Sequence, residues 1–175
     1  MRNKATQLIV YIHWLTVILI TLSFLTIEFR NVLGKHTVFH DFMKNAHFYV
    51  GFTILALVLV RIVIRHFAKF PATEPTIKST AQRILSKAVH IFLYVWLLAM
   101  PLLGWAKMSA SGATNFPFGL PALISPTSKN TAHLIENIHV YLAWVGLAVI
   151  LLHAVAAIFN HYYLKNNVLR KMSLK

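Results

Sequence analysis

Apolar residues in this chain come in long unbroken blocks instead of alternating with polar ones at the short periods of soluble helices and strands. Four blocks cover roughly residues 8–28, 47–65, 87–106 and 136–159. A helix needs about 20 such residues to cross a hydrocarbon core about 30 Å thick. The pattern therefore predicts an all-α fold, a four-helix transmembrane bundle that forms a single domain over residues 1–175. The first block is followed by no small-residue cleavage site, so we expect it to remain as a span.

The segments between the blocks are polar and differ in charge. We expect a loop or a short surface helix over residues 31–46, a basic connecting loop over 66–85, and a long irregular connection over 107–130, partly folded across the membrane face. Twelve of the 17 lysines and arginines lie in the amino-terminal segment, the 61–87 region and the tail. Because cytoplasmic segments carry the excess of such residues, both termini are expected in the cytoplasm.

The composition agrees with a membrane protein and narrows its chemistry. Hydrophobic residues make up 58% of the chain and charged residues only 12%, which is too little charge for an ordinary soluble domain. A net charge of +13 would suggest nucleic acid for a soluble protein, but these charges flank membrane spans, and we expect no nucleic-acid partner. The chain has no cysteine, which excludes disulfides, thiolate zinc sites, iron–sulfur clusters and c-type haem attachment. A bound metal must therefore be held mainly by histidine.

Histidines stand at both ends of the fourth block. His139 and His153 are 14 residues apart, which on a helix is about 1400° of rotation and a rise of about 21 Å, so both lie on one face near opposite membrane surfaces. Depth gives each of them a partner, since His47 begins the second block on the outer side and His13 lies early in the first block on the inner side. The sequence thus predicts two bis-histidine sites, His13 with His153 and His47 with His139.

Two neutral imidazoles on opposite faces suit the axial positions of a haem iron, and the space between bundle helices accepts a flat apolar macrocycle. Two haems b are therefore predicted. Zinc or copper is a weaker interpretation, because the pairs are too far apart to share a tetrahedral site and no carboxylate or thiolate completes either one. A transporter or a purely structural membrane protein would require all four histidines to be incidental interfacial or core residues.

Other residues at these depths are candidate neighbours of the cofactors. Gly51, one turn after the histidine of the second block, and Gly146, midway along the fourth, would let a porphyrin approach the backbone closely. Arg61 lies at the inner depth and either pairs with haem propionates or marks the cytoplasmic boundary. His90 also lies on the inner side, where it could compete with His13 as a ligand; we rank it as a haem-edge or quinone neighbour.

Several segments together resemble the small bacterial cytochrome b561 family. They span essentially the whole chain and read IHW, NAHFYVGF, VRIVIR, MPLLGW, IHVYLAWVGLAVILLHAVAAIFNHYY and NNVLRKM. The chain is more distantly similar to the cytochrome b subunits of nickel–iron hydrogenases and formate dehydrogenases. The resemblance implies a dihaem cytochrome of the bacterial inner membrane, with the ligands falling on His13, His47, His139 and His153.

The resemblance also implies a function. The best understood small members look like superoxide oxidases, oxidoreductases that take electrons from periplasmic superoxide and reduce ubiquinone within the membrane. In that family a histidine after the fourth span is associated with the quinone region, which falls on His161, and the tail has Asn166 where an aspartate is usual. The rival is an anchor subunit that passes electrons between a dehydrogenase or hydrogenase partner and quinone.

The outer side carries five cations, which would attract the superoxide anion and steer it toward the outer haem. They are Arg30, Lys35, Lys44, Lys107 and Lys129. The alternative is that they are ordinary loop charges, since Glu28, Asp41 and Glu136 partly offset them.

Overall fold

The computed structural model describes residues 4–68, 79–166 and 169–173. Over these residues the fold is helical, and each of the four predicted spans lies inside one long helix. The helices are α1 (Lys4–Glu28), α2 (Val38–Phe67), α3 (Thr80–Ala110) and α4 (Lys129–Tyr162), with short 3-10 turns at Phe29–Asn31, Pro117–Gly119 and Leu169–Met172. All four long helices have the length and hydropathy to cross a membrane. The predicted four-helix transmembrane bundle is confirmed.

The helices extend beyond the apolar spans into polar sequence. α2 begins at Val38 because the Thr37 hydroxyl accepts the backbone N–H of His40 at 3.2 Å, so the second half of the 31–46 segment is helical. Ser128 caps α4 in the same way, by accepting the backbone N–H of Thr131 at 3.2 Å. α3 begins at Thr80, so the expectation of a loop was wrong for residues 80–85. Residues 69–78 of that connection lie outside the described part.

The four helices are arranged as two hairpins. α1 packs along α2, α3 packs along α4, and contact between α2 and α3 joins the hairpins. Within the described residues no extensive backbone contact joins α4 to α1 or α2. We call the end of the bundle with His13 and His153 the inner end, and the end with His47 and His139 the outer end. Side chains, not close-packed backbones, therefore bridge the first hairpin and α4.

The buried core lies in the middle of the bundle. Its four buried members are Ile54, Val58, Trp96 and Leu97. Many other apolar side chains of the long helices are exposed, and Tyr141 and Leu152 of α4 are 70% and 68% exposed. Apolar surface of this extent is what contact with lipid requires.

The connection between α3 and α4 folds back onto the outer ends of the helices. The Trp105 indole donates to the carbonyl of Pro121 at 3.0 Å, and the backbone N–H of Leu123 donates to the buried Ser109 hydroxyl at 2.9 Å. Phe118 of the same connection packs edge-on against Tyr49 of α2, with ring centres 5.2 Å apart. The expected irregular connection thus occupies residues 111–128, whereas residues 107–110 and 129–130 of the predicted segment belong to α3 and α4.

Candidate functional site

His47 of α2 and His139 of α4 face each other at the outer end. Their ring centres are 6.3 Å apart and their planes are inclined by 78°. A metal ion held on opposite sides by two imidazole nitrogens, each about 2 Å away, separates those nitrogens by about 4 Å, with the ring centres farther out. The rings are therefore spaced to hold one ion between them. The structure brings together the outer pair that the sequence predicted.

The ring of His47 is held by Ser23 of α1. Its Nδ1 lies 2.9 Å from the Ser23 carbonyl oxygen and 3.1 Å from the hydroxyl. Because a carbonyl only accepts, Nδ1 carries the proton and donates, which leaves the lone pair on Nε2 free for a metal. Sequence reasoning missed Ser23. The available signal was weak, because Thr21 and Thr26 lie close to Ser23 in the same span and also carry hydroxyls.

The ring of His139 is set against Gly104 of α3. A Cβ at Gly104 would lie 3.5 Å from the imidazole Cε1, an ordinary van der Waals contact, so only a side chain larger than that of alanine would crowd the ring. Nδ1 of His139 is buried without a well-formed hydrogen bond in the described part of the chain, although the backbone of Met100 interacts with the ring. Buried polar atoms are rarely left in this way, which points to a role beyond packing. Gly104 was also missed, although it stands at the expected depth in the MPLLGW segment.

The donor set at the outer end fits haem better than a metal held by protein alone. In the described residues no cluster of three or more His, Cys, Asp or Glu side chains could hold a metal ion. An ion between His47 and His139 would take its remaining ligands from a bound group, and a porphyrin supplies four nitrogens in the plane between two axial imidazoles. The open space beside Gly51, where an added Cβ would meet nothing within 4 Å, agrees with close approach of a flat group.

Four side chains, one from each long helix, gather at the inner end. The rings of His90 and His153 are 5.2 Å apart at 89°, and Nη1 of Arg61 lies 3.4 Å from Nδ1 of His13. His13 also interacts electrostatically with both other imidazoles. The structure thus unites all four residues predicted for this depth. His90 is in ring contact with His153, whereas His13 interacts with His153 only electrostatically. The pairing of His13 with His153 stays a prediction.

Arg61 points into the bundle. Its guanidinium lies over the ring of Tyr94, 5.3 Å from the ring centre, and its Nε is buried without a hydrogen-bond partner among the described residues. An arginine that only marked the membrane boundary would extend its charged end to water. A guanidinium that is partly withdrawn from water needs acceptors for its N–H groups, so this geometry favours an anionic partner within the bundle.

Gly146 has a different neighbour from the one expected. A Cβ at this position would overlap with the indole of Trp96, so the absence of a side chain makes room for a tryptophan of α3. The porphyrin contact inferred from the sequence is therefore replaced here by a protein contact. Spacing along α4 indicated that a glycine was needed, but not which group required it.

The chain turns back toward α1 after α4. Nδ1 of His161 donates to the carbonyl of Asn166 at 3.1 Å, and the Trp14 indole donates to the carbonyl of Met172 at 2.8 Å. His161 and His90 therefore both lie at the inner end, where a quinone region was expected. His90 is exposed at the surface of the bundle.

Two of the outer cations lie near the facing imidazoles. Arg30 interacts electrostatically with His47, and Lys107 with His139. The Lys107 ammonium is 3.5 Å from a carboxylate oxygen of Glu136, which offsets its charge. Arg30 donates instead to a backbone carbonyl at 3.0 Å and keeps its full charge. Of the two, Arg30 is better placed to attract an anion.

The remaining outer cations are farther from the histidine pair. Lys35, Lys44 and Lys129 are exposed. Lys107 and Lys129 line an open pocket of about 360 Å³ between the end of α3 and the start of α4.

Comparison with known proteins gives matches over nearly the whole chain. The family model described as "Prokaryotic cytochrome b561" matches residues 6–174. "Cytochrome b561 homolog 1" of Escherichia coli strain K12 is 32% identical over 172 residues, which is 97% of each chain. "Probable superoxide oxidase CybB" of Yersinia pestis is 32% identical over 181 residues, covering 100% of this chain and 98% of that protein. "Cytochrome b561 homolog 2" of Escherichia coli strain K12 is 23% identical over 163 residues, covering 91% and 86%.

The site and the comparisons agree on one family. Facing histidines within a bundle of membrane-spanning helices are an arrangement suited to b-type haem. With a family model and two relatives matched along nearly its full length, the chain belongs to the prokaryotic cytochrome b561 family, whose members are haem b proteins of membrane electron transfer.

Proposed function

We propose that this protein is a dihaem cytochrome b and a superoxide:ubiquinone oxidoreductase of the bacterial inner membrane. It works as one four-helix domain over residues 1–175, with both termini cytoplasmic. His47 and His139 would hold the outer haem, and His13 and His153 would hold the inner haem. The observation that carries the proposal is the facing of the His47 and His139 rings at 6.3 Å across helices that do not pack directly. The name of the Yersinia pestis relative supports superoxide as the electron donor.

The protein's part in this chemistry is ligation, orientation and electrostatics. Bound haem supplies the one-electron redox chemistry. Ser23 fixes the His47 tautomer so that Nε2 is available as a ligand, and Gly104 leaves room for the ring of His139. Arg61 binds an anionic group at the inner end, and a haem propionate is the acceptor we assign to it.

The overall reaction balances with two superoxide anions for each quinone. Each superoxide loses one electron and leaves as O2, while ubiquinone gains two electrons and two protons to become ubiquinol. We assign quinone reduction to the inner end, near His90 and His161. The Nδ1 atoms of both histidines are bonded to backbone carbonyls, which leaves Nε2 of each ring to exchange a proton.

The direct test uses the purified, haem-loaded chain in detergent. Haem absorption is followed in a stopped-flow instrument after mixing with a superoxide source, and a ubiquinone analogue is then added. We expect reduction that superoxide dismutase prevents, followed by reoxidation by the quinone. Absence of reduction, or reduced haem that no ubiquinone reoxidises, would overturn the proposal. Copurification of a dehydrogenase that reduces the haem would favour the anchor-subunit function.

The rate of reduction by superoxide is expected to fall as ionic strength rises, because salt screens the attraction between an anion and the outer cations. Arg30→Gln and Lys107→Gln should each lower the rate at low salt, since each removes one positive charge that interacts with an outer histidine. The measurement is the stopped-flow rate constant over a series of salt concentrations. A rate that does not depend on salt in the unmodified protein would rule out steering.

Arg61→Met is expected to lower the midpoint potential of one haem, by an amount on the order of tens of millivolts. A nearby cation disfavours the more positive, oxidised haem, so its removal stabilises that form. Redox titration of the absorption bands measures the potential. Arg65→Met is the matched control, because Arg65 lies one turn farther along α2 and is exposed. Equal potentials in the two variants would mean that Arg61 only marks the membrane boundary.

A further inference from the structure

α3 and α4 run antiparallel in a register defined by contacts at three levels of the bundle. From the outer to the inner end, the contacts are Gly104 with His139, Trp96 with Gly146, and His90 with His153. Because Gly146 is seven residues from each α4 histidine, the middle contact lies halfway between the two histidine sites. The same pairing of α3 with α4 thus extends from one site to the other.

The contact between Trp96 and Gly146 restricts the position of both residues. The Trp96 indole N–H donates to the carbonyl of Leu142 at 2.7 Å, which fixes the ring along α4. The ring occupies the place that a Cβ at Gly146 would need. Trp96 is only 6% exposed and belongs to the central core together with Ile54. A buried indole whose donor is satisfied and whose ring occupies the space beside a glycine can hold two helices in only one rotation and register.

We infer that Trp96 is a positioning residue for both haem sites, through its packing contact with Gly146. By fixing α4 against α3, it determines where the His139 ring meets Gly104 and where the His153 ring meets His90. The inference rests on the proposed function, in which both α4 histidines are haem ligands. Its distinctive consequence is that one side chain, in ring contact with neither histidine site, controls the ligand geometry of both.

Three variants test the contact between Trp96 and Gly146. Gly146→Ala forces the indole away from α4, Trp96→Leu removes the indole, and the double variant combines a Cβ at residue 146 with a smaller side chain at residue 96. We expect Gly146→Ala to bind less haem than the unmodified protein. The double variant should recover most of the lost haem content. In Trp96→Leu the low-spin electron paramagnetic resonance signals and the midpoint potentials of both haems should shift together. Val95→Leu, at an exposed neighbouring position of α3, should leave both signals in place.

The outcomes separate this inference from the proposed function. A lower thermal unfolding temperature in Trp96→Leu with both haem signals unchanged would reduce Trp96 to core packing and overturn the inference. If the double variant loses as much haem as Gly146→Ala, residue 146 faces the cofactor instead of the indole, which also overturns it. If the unmodified chain binds no haem, the proposed function fails. Recovery of the unfolding temperature in the double variant would then still support Trp96 and Gly146 as the contact that holds α3 against α4.

Discussion

Replacing His139 by alanine is expected to reduce the bound haem from two per chain to one and to abolish reduction by superoxide. The reason is geometric: the His139 ring is the group that faces His47 across the outer end, and the described residues provide no cluster of further ligands to replace it. Without one axial imidazole, the iron would lose a bond that orients the whole macrocycle.

The measurement is the ratio of haem to protein, taken from the pyridine haemochrome spectrum and a protein assay. His133→Ala is the matched control, because His133 lies on the same helix and its side chain is 75% exposed. The control should retain both haems and full reduction by superoxide. Two haems in the His139→Ala protein would refute the outer pair.

His153→Ala is expected to remove the inner haem and to leave the outer one. His13→Ala should have the same effect, whereas His90→Ala should retain two haems and slow reoxidation by quinone. This set addresses the three imidazoles at the inner end, where the ring of His90 lies 5.2 Å from that of His153. Haem content and reoxidation rate are measured for each variant.

One result would reverse the assignment at the inner end. If His90→Ala loses a haem while His13→Ala keeps two, then His90 is the ligand. The contact between His13 and Arg61 at 3.4 Å makes this a sharp test. Arginine only donates, so Nδ1 of His13 accepts in that contact and its proton is on Nε2. For Nε2 of His13 to bind iron, the hydrogen bond between Arg61 and Nδ1 of His13 must break.

The transmembrane helices could be predicted from the sequence because an apolar stretch in lipid must satisfy its own backbone hydrogen bonds, which a helix does. The regular geometry of a helix also explains why pairing histidines at equal membrane depth predicted that His47 and His139 would face each other. α4 is continuous from Lys129 to Tyr162, so 14 residues translate directly into a separation along the bundle. His47 and His139 then faced each other as expected.

Depth does not give the direction in which a side chain points around its helix. His90 and His13 lie at the same depth, and the closeness of His90 to His153 follows from the rotation of α3 against α4. That rotation depends on the fit between an indole and a glycine, which hydropathy cannot detect. Ser23 and Gly104 were missed for the same reason, since each matters only through the neighbour that packing brings to it.

The ends of the helices show another limit of a pattern based on apolar residues. The Thr37 hydroxyl accepts a hydrogen bond that caps α2, so the helix begins at Val38, nine residues before the apolar block opens at His47. Such a cap stabilises polar helical turns that carry no hydrophobic signal. The result at the outer end is a longer α2 that brings Lys44 and His40 onto a helix instead of a loop.

The central claim is that one chain holds two haems b, each between two imidazoles. Haem stoichiometry combined with electron paramagnetic resonance of the oxidised, detergent-purified protein tests it most directly. We expect two haems b per chain, both low-spin with signals typical of bis-imidazole ligation. One haem per chain, or a high-spin iron that lacks an axial imidazole, would contradict it.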